Sequence, residues 1–447
     1  VRWLLLLLLV PLVARGDVLR ICTPGDTQEG VLCSNATTAW AHLKDSIDWI
    51  AANPEMCDVV IFPGDLVVGY MWNHNEEADP IAPWFDCWCL AQPDPAPDGC
   101  DIYTNPVTGR TCSVTHVECN DAEAINCVGG TPGFYCEHER ARSLLDTLAA
   151  AGVPFITVAG NHEPDQKGPR CSRSFSDYNA YFGVGRMSSG FAEVSVHEEN
   201  YPCAVIDGGF AEQAAGSTHV LRKPDGSEWL FLALPWLPVD AALDSFTNYP
   251  GMTPATLAWV KGVMDAHPGM PTIPIAHHMN SFVTGCEPEE TEWENFWCQN
   301  IIGWGGWWTG STVYSELMND YPQIFMTIGG HIRELAMKVS ESTPHPVLGA
   351  AVDYTVPVSD APEWQSRANG GGGVVQMFRV DYQNGTVSSK AYSDTESEWI
   401  GVYGSTGSHW SVQMPLCDDD VRFGFPAEAC PQPSVVPQIN LGRIRNR

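Results

Sequence analysis

Positive charge is scarce in this chain. Its 447 residues include 23 Lys and Arg against 54 Asp and Glu, a formal net charge of −31. Recognition of a nucleic acid starts from a basic patch, and none is visible outside the short tail 443–447. Nucleic acid is therefore not an expected partner. Long apolar runs are also missing. The stretch Leu4–Val13 is short for a bilayer span, and no later stretch is long and apolar enough. Paired C-x-x-C knuckles are absent, which leaves structural zinc a poor explanation of the 16 cysteines. No internal repeat occurs.

What is present points first to secretion. One cation at Arg2, the run Leu4–Val13 and small residues at Ala14 and Gly16 make a signal-peptide pattern over 1–16, with no integral membrane segment after its removal. So many cysteines fit an oxidising compartment. The sequons at Asn35 and Asn384 are compatible with a secreted glycoprotein. The expected organisation is a domain over 17–400, interrupted by a cysteine-rich insertion over 73–137, and a C-terminal extension over 401–447. The insertion is rich in Pro, Asp and Gly and holds seven cysteines from Cys87 to Cys136. So little apolar periodicity supplies no core, so disulfides are expected to staple it.

Periodicity elsewhere alternates between strand and helix. Val18–Cys22 reads as a strand, Trp40, Leu43, Ile47 and Ile50 share one helical face, and Val59–Phe62 reads as a buried strand. A helix around 139–151 precedes the strand 154–158. A third helix, with Thr253 as N-cap and Pro254 in its first turn, precedes the strand 272–276. A strand over 323–328 and a hairpin over 373–392 complete the pattern. This is an α/β chain with helices on the faces of its sheets.

Metal-competent residues follow successive strands: Asp26 with Gln28, Asp65, Asn161 with His162, His277 with His278, and His331. In α/β sheets the ligand crevice lies beyond the carboxyl ends of the strands, where such residues can meet. Carboxylate, amide oxygen and imidazole together suit magnesium or a first-row divalent ion. Singly, each has a bland reading as a turn, a helix cap or a hydrogen-bonded histidine. Five in order, each at a strand exit, favour a shared site.

Gly64-Asp65, Gly160-Asn161-His162-Glu163, His277 and Gly330-His331 resemble four of the five motif blocks of the calcineurin-like metallophosphoesterases. Asp26-Thr27-Gln28 is similar to the first block of one subgroup, as are Leu257-Ala258-Trp259 and Gly370–Gly373 to its flanking features. The resemblance implies a four-layered α/β/β/α sandwich and one or two divalent ions drawn from Mn, Fe, Zn, Mg and Ca. It implies that Asp65 bridges two ions, that Asn161, His277 and His331 complete one site, and that Asp26 and Gln28 belong to the other. His278 and Glu163 would stand behind the ligands, although the adjacent pair leaves the choice between His277 and His278 open.

Two positions depart from the family pattern. Gln28 and Arg333 stand where imidazoles are expected. The second site is then either an oxygen-only site for a hard cation or a phosphate clamp in which the Arg333 fork holds phosphate oxygens. The expected activity is hydrolysis of phosphate mono- or diesters of a small phosphorylated substrate by a hydroxide generated at the metal. His162 would protonate the leaving oxygen with Glu163 orienting it. Two other readings fit the same residues: a catalytically impaired relative that binds a ligand, and a secreted carbohydrate-binding module that uses the tryptophans of 282–310.

Overall fold

A computed structural model describes residues 18–25, 27, 39–67, 100–104, 111–115, 133–160, 163, 175–187, 189–198, 200–203, 209–212, 216–234, 254–277, 317–318, 320–330, 335–339, 347–352, 374–381, 386–393, 398–400 and 410–413. Strand β1 (Val18–Thr23) is followed by helix α1 (Ala39–Ala52) and β2 (Val59–Phe62). The hairpin β3 (Cys100–Thr104) and β4 (Thr111–Thr115) falls inside the cysteine-rich segment. Helix α2 (Gly133–Ala150) leads to β5 (Phe155–Thr157), and two short helices follow, α3 (Ser176–Phe182) and α4 (Val184–Met187). Next come β6 (Glu193–His197), β7 (Asn200–Cys203), β8 (Gly209–Glu212), β9 (Gly216–Arg222) and β10 (Glu228–Ala233). Helix α5 (Pro254–Ala266) precedes β11 (Thr272–Ile275), β12 (Met326–Gly329), β13 (Leu335–Val339) and β14 (Leu348–Val352). The chain then adds β15 (Val374–Asp381), β16 (Thr386–Ser393), β17 (Glu398–Ile400) and β18 (Trp410–Gln413).

These elements form a mixed α/β fold with two seven-stranded sheets. The first has the order β17-β16-β15-β1-β2-β5, with β18 also paired to β16; the second runs β13-β14-β12-β11-β10-β9-β6. The first has its parallel strands at one edge, and the second has a parallel centre with antiparallel flanks. In the first, β1, β2 and β5 run parallel. In the second, β10, β11, β12 and β14 do. Parallel strands are covered on both faces and so read as unbroken apolar runs. All four residues of β2 and of β11 are buried accordingly.

Strand β10 separates two cores by its period of two. Trp229, Phe231 and Ala233 join a large core that also takes in Ile21, Phe62 and Ile156 of the first sheet and the buried faces of α1 and α2. Leu230, Leu232 and Leu234 join a smaller core with Val260 and Met264 of α5. The helical face expected from sequence is the buried one, with Trp40, Leu43, Ile47 and Ile50 all inside. Cys22 and Cys57 form a buried disulfide that clamps the end of β1 to the turn before β2. Cys87, Cys89, Cys119 and Cys127 of the expected insertion and the signal segment 1–16 lie outside the described residues. No helix among the described residues is long and apolar enough to cross a membrane.

Inside the large core sits a histidine. His219 of β9 is fully buried, pairs across the strands with Phe231 and Val194, and packs its ring 4.7 Å from that of Phe191. Its Nε2 and the Ser217 hydroxyl are 2.8 Å apart. Burial depresses its pKa to about 3, so the ring is neutral in the fold. In the unfolded chain His219 takes up a proton below its ordinary value of about 6.5, whereas the folded chain does not. Its contribution to stability is therefore complete above about pH 6.5 and declines as pH falls toward 3. Wild-type protein should lose about 2 kcal/mol more than His219→Gln between pH 8 and pH 5. Urea unfolding midpoints at the two pH values measure this, and equal losses would refute it.

Candidate metal centre

Five strand exits from two sheets meet at one place. Strands β1, β2 and β5 deliver Thr27, Asp65 and Gly160, and β11 and β12 deliver His277 and Gly330. Backbone hydrogen bonds tie these exits together. Thr27 donates its N–H to the Asp65 carbonyl at 3.2 Å, Val158 to Phe62 at 3.0 Å, and Gly330 to His277 at 2.8 Å. The Thr27 hydroxyl donates to the Leu66 carbonyl at 3.3 Å. Each of these bonds links neighbouring exits within one sheet.

The join between sheets is the contact of His277 with the loop after β2. His277 Nδ1 lies 3.1 Å from the Pro63 carbonyl, an acceptor that requires this nitrogen to carry its hydrogen. Nε2 is left to face Asp65, whose Oδ2 is 3.0 Å away. Both side chains are about 1 % exposed. Burial by itself would depress the His277 ring, but the charge and hydrogen bond of Asp65, then Glu163 and the Pro63 carbonyl, hold its pKa above the ordinary value. Asp65 takes φ of 49°, the one non-glycine residue with positive φ among the described residues. This left-handed conformation is uncommon for a residue with a Cβ, although Asp tolerates it better than most.

Three glycines make the approach possible. A Cβ on Gly64 would stand 2.3 Å from His277 Nδ1, and one on Gly160 would stand 2.1 Å from Asp65 Oδ1 and 2.6 Å from Asp65 N. On Gly330 it would meet the Pro63 ring at 3.2 Å. Gly64 and Gly160 are thus fixed by space at this junction, Gly64 also by its φ of 118°, whereas at Gly330 the contact is only tight.

Glu163 closes the arrangement from below. Its Oε2 accepts the amides of Asp65 at 3.2 Å and Gly160 at 2.5 Å, and its Oε1 those of Leu66 at 2.5 Å and Val67 at 3.3 Å. Burial pushes its carboxyl up to about 8 and the Asp65 charge adds to this. The His277 ring and the amides of Gly160 and Leu66 act in the opposite direction. With two N–H groups aimed at each oxygen, a proton on either one would displace an amide. The geometry is that of the ionised form, held against the cost of burial.

Of the residues singled out in the sequence, Asp65, His277 and Glu163 come together. Asp26, Gln28, Asn161, His162, His278, His331 and Arg333 lie outside the described residues, as do the tryptophans of 282–310. Among the described residues no group of three or more His, Cys, Asp or Glu is arranged to hold a metal ion. The chemistry of the Asp65–His277 pair nonetheless fits one. A carboxylate oxygen faces an imidazole nitrogen whose partner nitrogen is fixed by a backbone carbonyl, an arrangement that orients metal-binding histidines. The roles of Pro63 and Thr27 had no signal in the sequence beyond their place beside a motif.

No protein-family model matches the sequence, and no curated protein matches it. Among solved structures the chain is similar to the calcineurin-like phosphoesterase YfkN from Bacillus subtilis, at 10% identity and a TM-score of 0.31. The likeness covers 90% of this chain and 92% of that one. It is too distant to carry an argument about this chain.

The packing around Asp65 makes a direct prediction. Gly160→Ala drives a methyl into the Asp65 backbone and is expected to destabilise the fold by roughly 1–3 kcal/mol or more. Gly262→Ala, in the open interior of α5 with nothing within 4 Å, is expected to be neutral or stabilising by up to about 1 kcal/mol. Urea denaturation of the two variants measures both. Similar effects at the two positions would contradict the crowding at Gly160.

Proposed function

We propose that the chain is a metal-dependent phosphoesterase that cleaves phosphate mono- or diesters. The observation that carries this reading is the interior contact of Asp65 with His277 at the exits of parallel strands from two sheets, with Nδ1 committed to Pro63. Asn161 and His331 directly follow Gly160 and Gly330, and with Asp65 and His277 they would hold one ion. Asp26 and Gln28 flank Thr27, which is bonded to the Asp65 loop, and they would serve a second ion that shares Asp65. The mixed nitrogen and oxygen donors of the first set suit manganese, iron or zinc, and the oxygen donors of the second suit magnesium, calcium or manganese. The layer order α/β/β/α is supported by a core common to both sheets and by the packing of α5 on the other face of the second sheet.

When bound, the metal supplies Lewis acidity, acidifying water and offsetting charge on the phosphoryl oxygens. The remaining work falls to side chains. His277 keeps one tautomer through Pro63, so its ligating lone pair points one way. We assign His162 to proton transfer to the leaving oxygen and Arg333 to a fork on the non-bridging phosphate oxygens. Such local positive charge is needed in a chain of net charge −31, which repels phosphorylated substrates at a distance. Secretion is supported by the leader, the cysteine content and a disulfide built into the core.

Turnover of a chromogenic phosphodiester by purified protein, with metal content measured in parallel, tests the reading. Chelation, Asp65→Asn and His277→Ala should each abolish turnover and reduce bound metal. His162→Ala should keep its metal and lose about a hundredfold or more in rate. Metal bound without turnover of any mono- or diester would leave a binding protein in place of an enzyme. Turnover that survives both chelation and Asp65→Asn would remove Asp65 from the chemistry.

A further inference from the structure

We infer that Glu163 is the positioning residue of this centre: its carboxylate holds the loop after β2 in shape and so sets the direction of the Asp65 carboxylate. The inference rests on the reading of Asp65 and His277 as metal ligands.

The three amides of Asp65, Leu66 and Val67 are consecutive, and all aim at one carboxylate. Successive N–H groups converging in this way form a concave nest for an anion. Here the anion is a side chain from 96 to 98 residues further along the chain. The nest exists because Asp65 adopts the left-handed conformation, which turns its own N–H toward the same side as the two that follow. That conformation is intrinsically disfavoured, so an outside interaction must select it. Glu163 supplies the interaction, because leaving the nest would deprive interior amides of a charged acceptor.

The same carboxylate fixes the neighbouring loops. Its Oε2 takes the Gly160 amide together with that of Asp65, which docks the exit of β5 against the exit of β2. The peptides gripped on their N–H side by Glu163 are used on their carbonyl side by Thr27. The Asp65 carbonyl accepts its amide and the Leu66 carbonyl its hydroxyl. One carboxylate thus organises three strand exits, those that carry Asp26 and Gln28, Asp65, and Asn161 with His162. Both of its oxygens are turned to backbone amides, so Glu163 acts through these loops and not as a ligand itself.

Calorimetric titration with MnCl2 and hydrogen exchange at amides 65–67 and 160 test the inference on full-length protein. The variants are Glu163→Gln, Glu163→Asp and a control, Val260→Ala, which opens a cavity in the small core beneath α5. Glu163→Gln keeps the shape but turns an NH2 group toward N–H donors. It should raise the Kd for Mn2+ ten- to hundredfold, as loss of a group supporting the ligands commonly does, and speed exchange at the four amides. Glu163→Asp should do both to a smaller extent. Val260→Ala should lower global stability with the Mn2+ Kd unchanged. An unchanged Kd in folded Glu163→Gln would overturn the inference, and so would weakening in proportion to lost stability in both Glu163→Gln and Val260→Ala. If Glu163→Gln does not fold, Glu163→Asp decides by the same readouts. Failure of the wild type to bind Mn2+, Zn2+ or Mg2+ would overturn the metal reading instead. Exchange at the four amides would then decide whether Glu163 holds the loop.

Discussion

A buried carboxylate gripped by four backbone amides is the constraint on which this junction depends. Carboxylates are rarely taken fully out of water, because desolvation outweighs a few weak contacts. Glu163 is about 2 % exposed, and it is tolerated there because each oxygen receives two N–H groups, with two loops supplying the four in all. The arrangement solves two problems together. The charge finds donors, and backbone groups in loops that cannot pair as strands find an acceptor. Asp65 in its left-handed turn, Gly160 without room for a methyl and the Thr27 tie are consequences of how closely those loops must approach.

The second consequence is that two separate sheets share one site. The first sheet supplies the carboxylates and the second supplies the imidazole, so their relative placement decides whether Asp65 and His277 meet. The large core sets it coarsely, through side chains of both sheets in one cluster. The bond between His277 and Pro63 sets it finely, and Gly64 removes the side chain that would hold the loops apart. Two interior carboxylates lie beside one imidazole, and the charge of both raises the proton affinity of that ring.

Much of this was legible in the sequence, for physical reasons. Buried parallel strands leave unbroken apolar runs, which is why β2, β5 and β11 could be placed to within a residue or two. The helical spacing of Trp40, Leu43, Ile47 and Ile50 announced the face that α1 buries. Helix α2 begins at Gly133, earlier than the expected 139, because its first turn lies in a stretch whose Pro, Gly and Cys composition masks helical period. The β3–β4 hairpin was hidden in the same way within the segment expected to lack regular structure. Strands β13 and β14 went unread because each is only five residues long. At the site, the motif residues Asp65, Glu163 and His277 were found by position, whereas the use of Glu163 was not. A hydrogen bond across 96 residues leaves no periodic trace, and Glu in that motif reads equally well as a helix cap or as a partner for its histidine neighbour.

The precision of the junction is inherited from the elements underneath. Thr157, the last residue of β5, stands three positions before Gly160 and is held on several sides. Its amide donates to the Met187 sulfur at 3.1 Å, its hydroxyl donates to the Phe182 carbonyl at 2.8 Å, and the Tyr178 phenol lies 3.1 Å from that hydroxyl. Helices α3 and α4 therefore brace the strand at the point where it becomes a loop. Burial pushes the Tyr178 phenol well above its ordinary pKa, with the Glu163 charge contributing, so it stays neutral and serves only as a hydrogen-bonding partner. A loop with one glycine of clearance over a carboxylate oxygen can tolerate little movement at its root. Sites placed on strand ends meet that demand better than sites on free loops, and here the last residue of the strand is anchored before the loop begins.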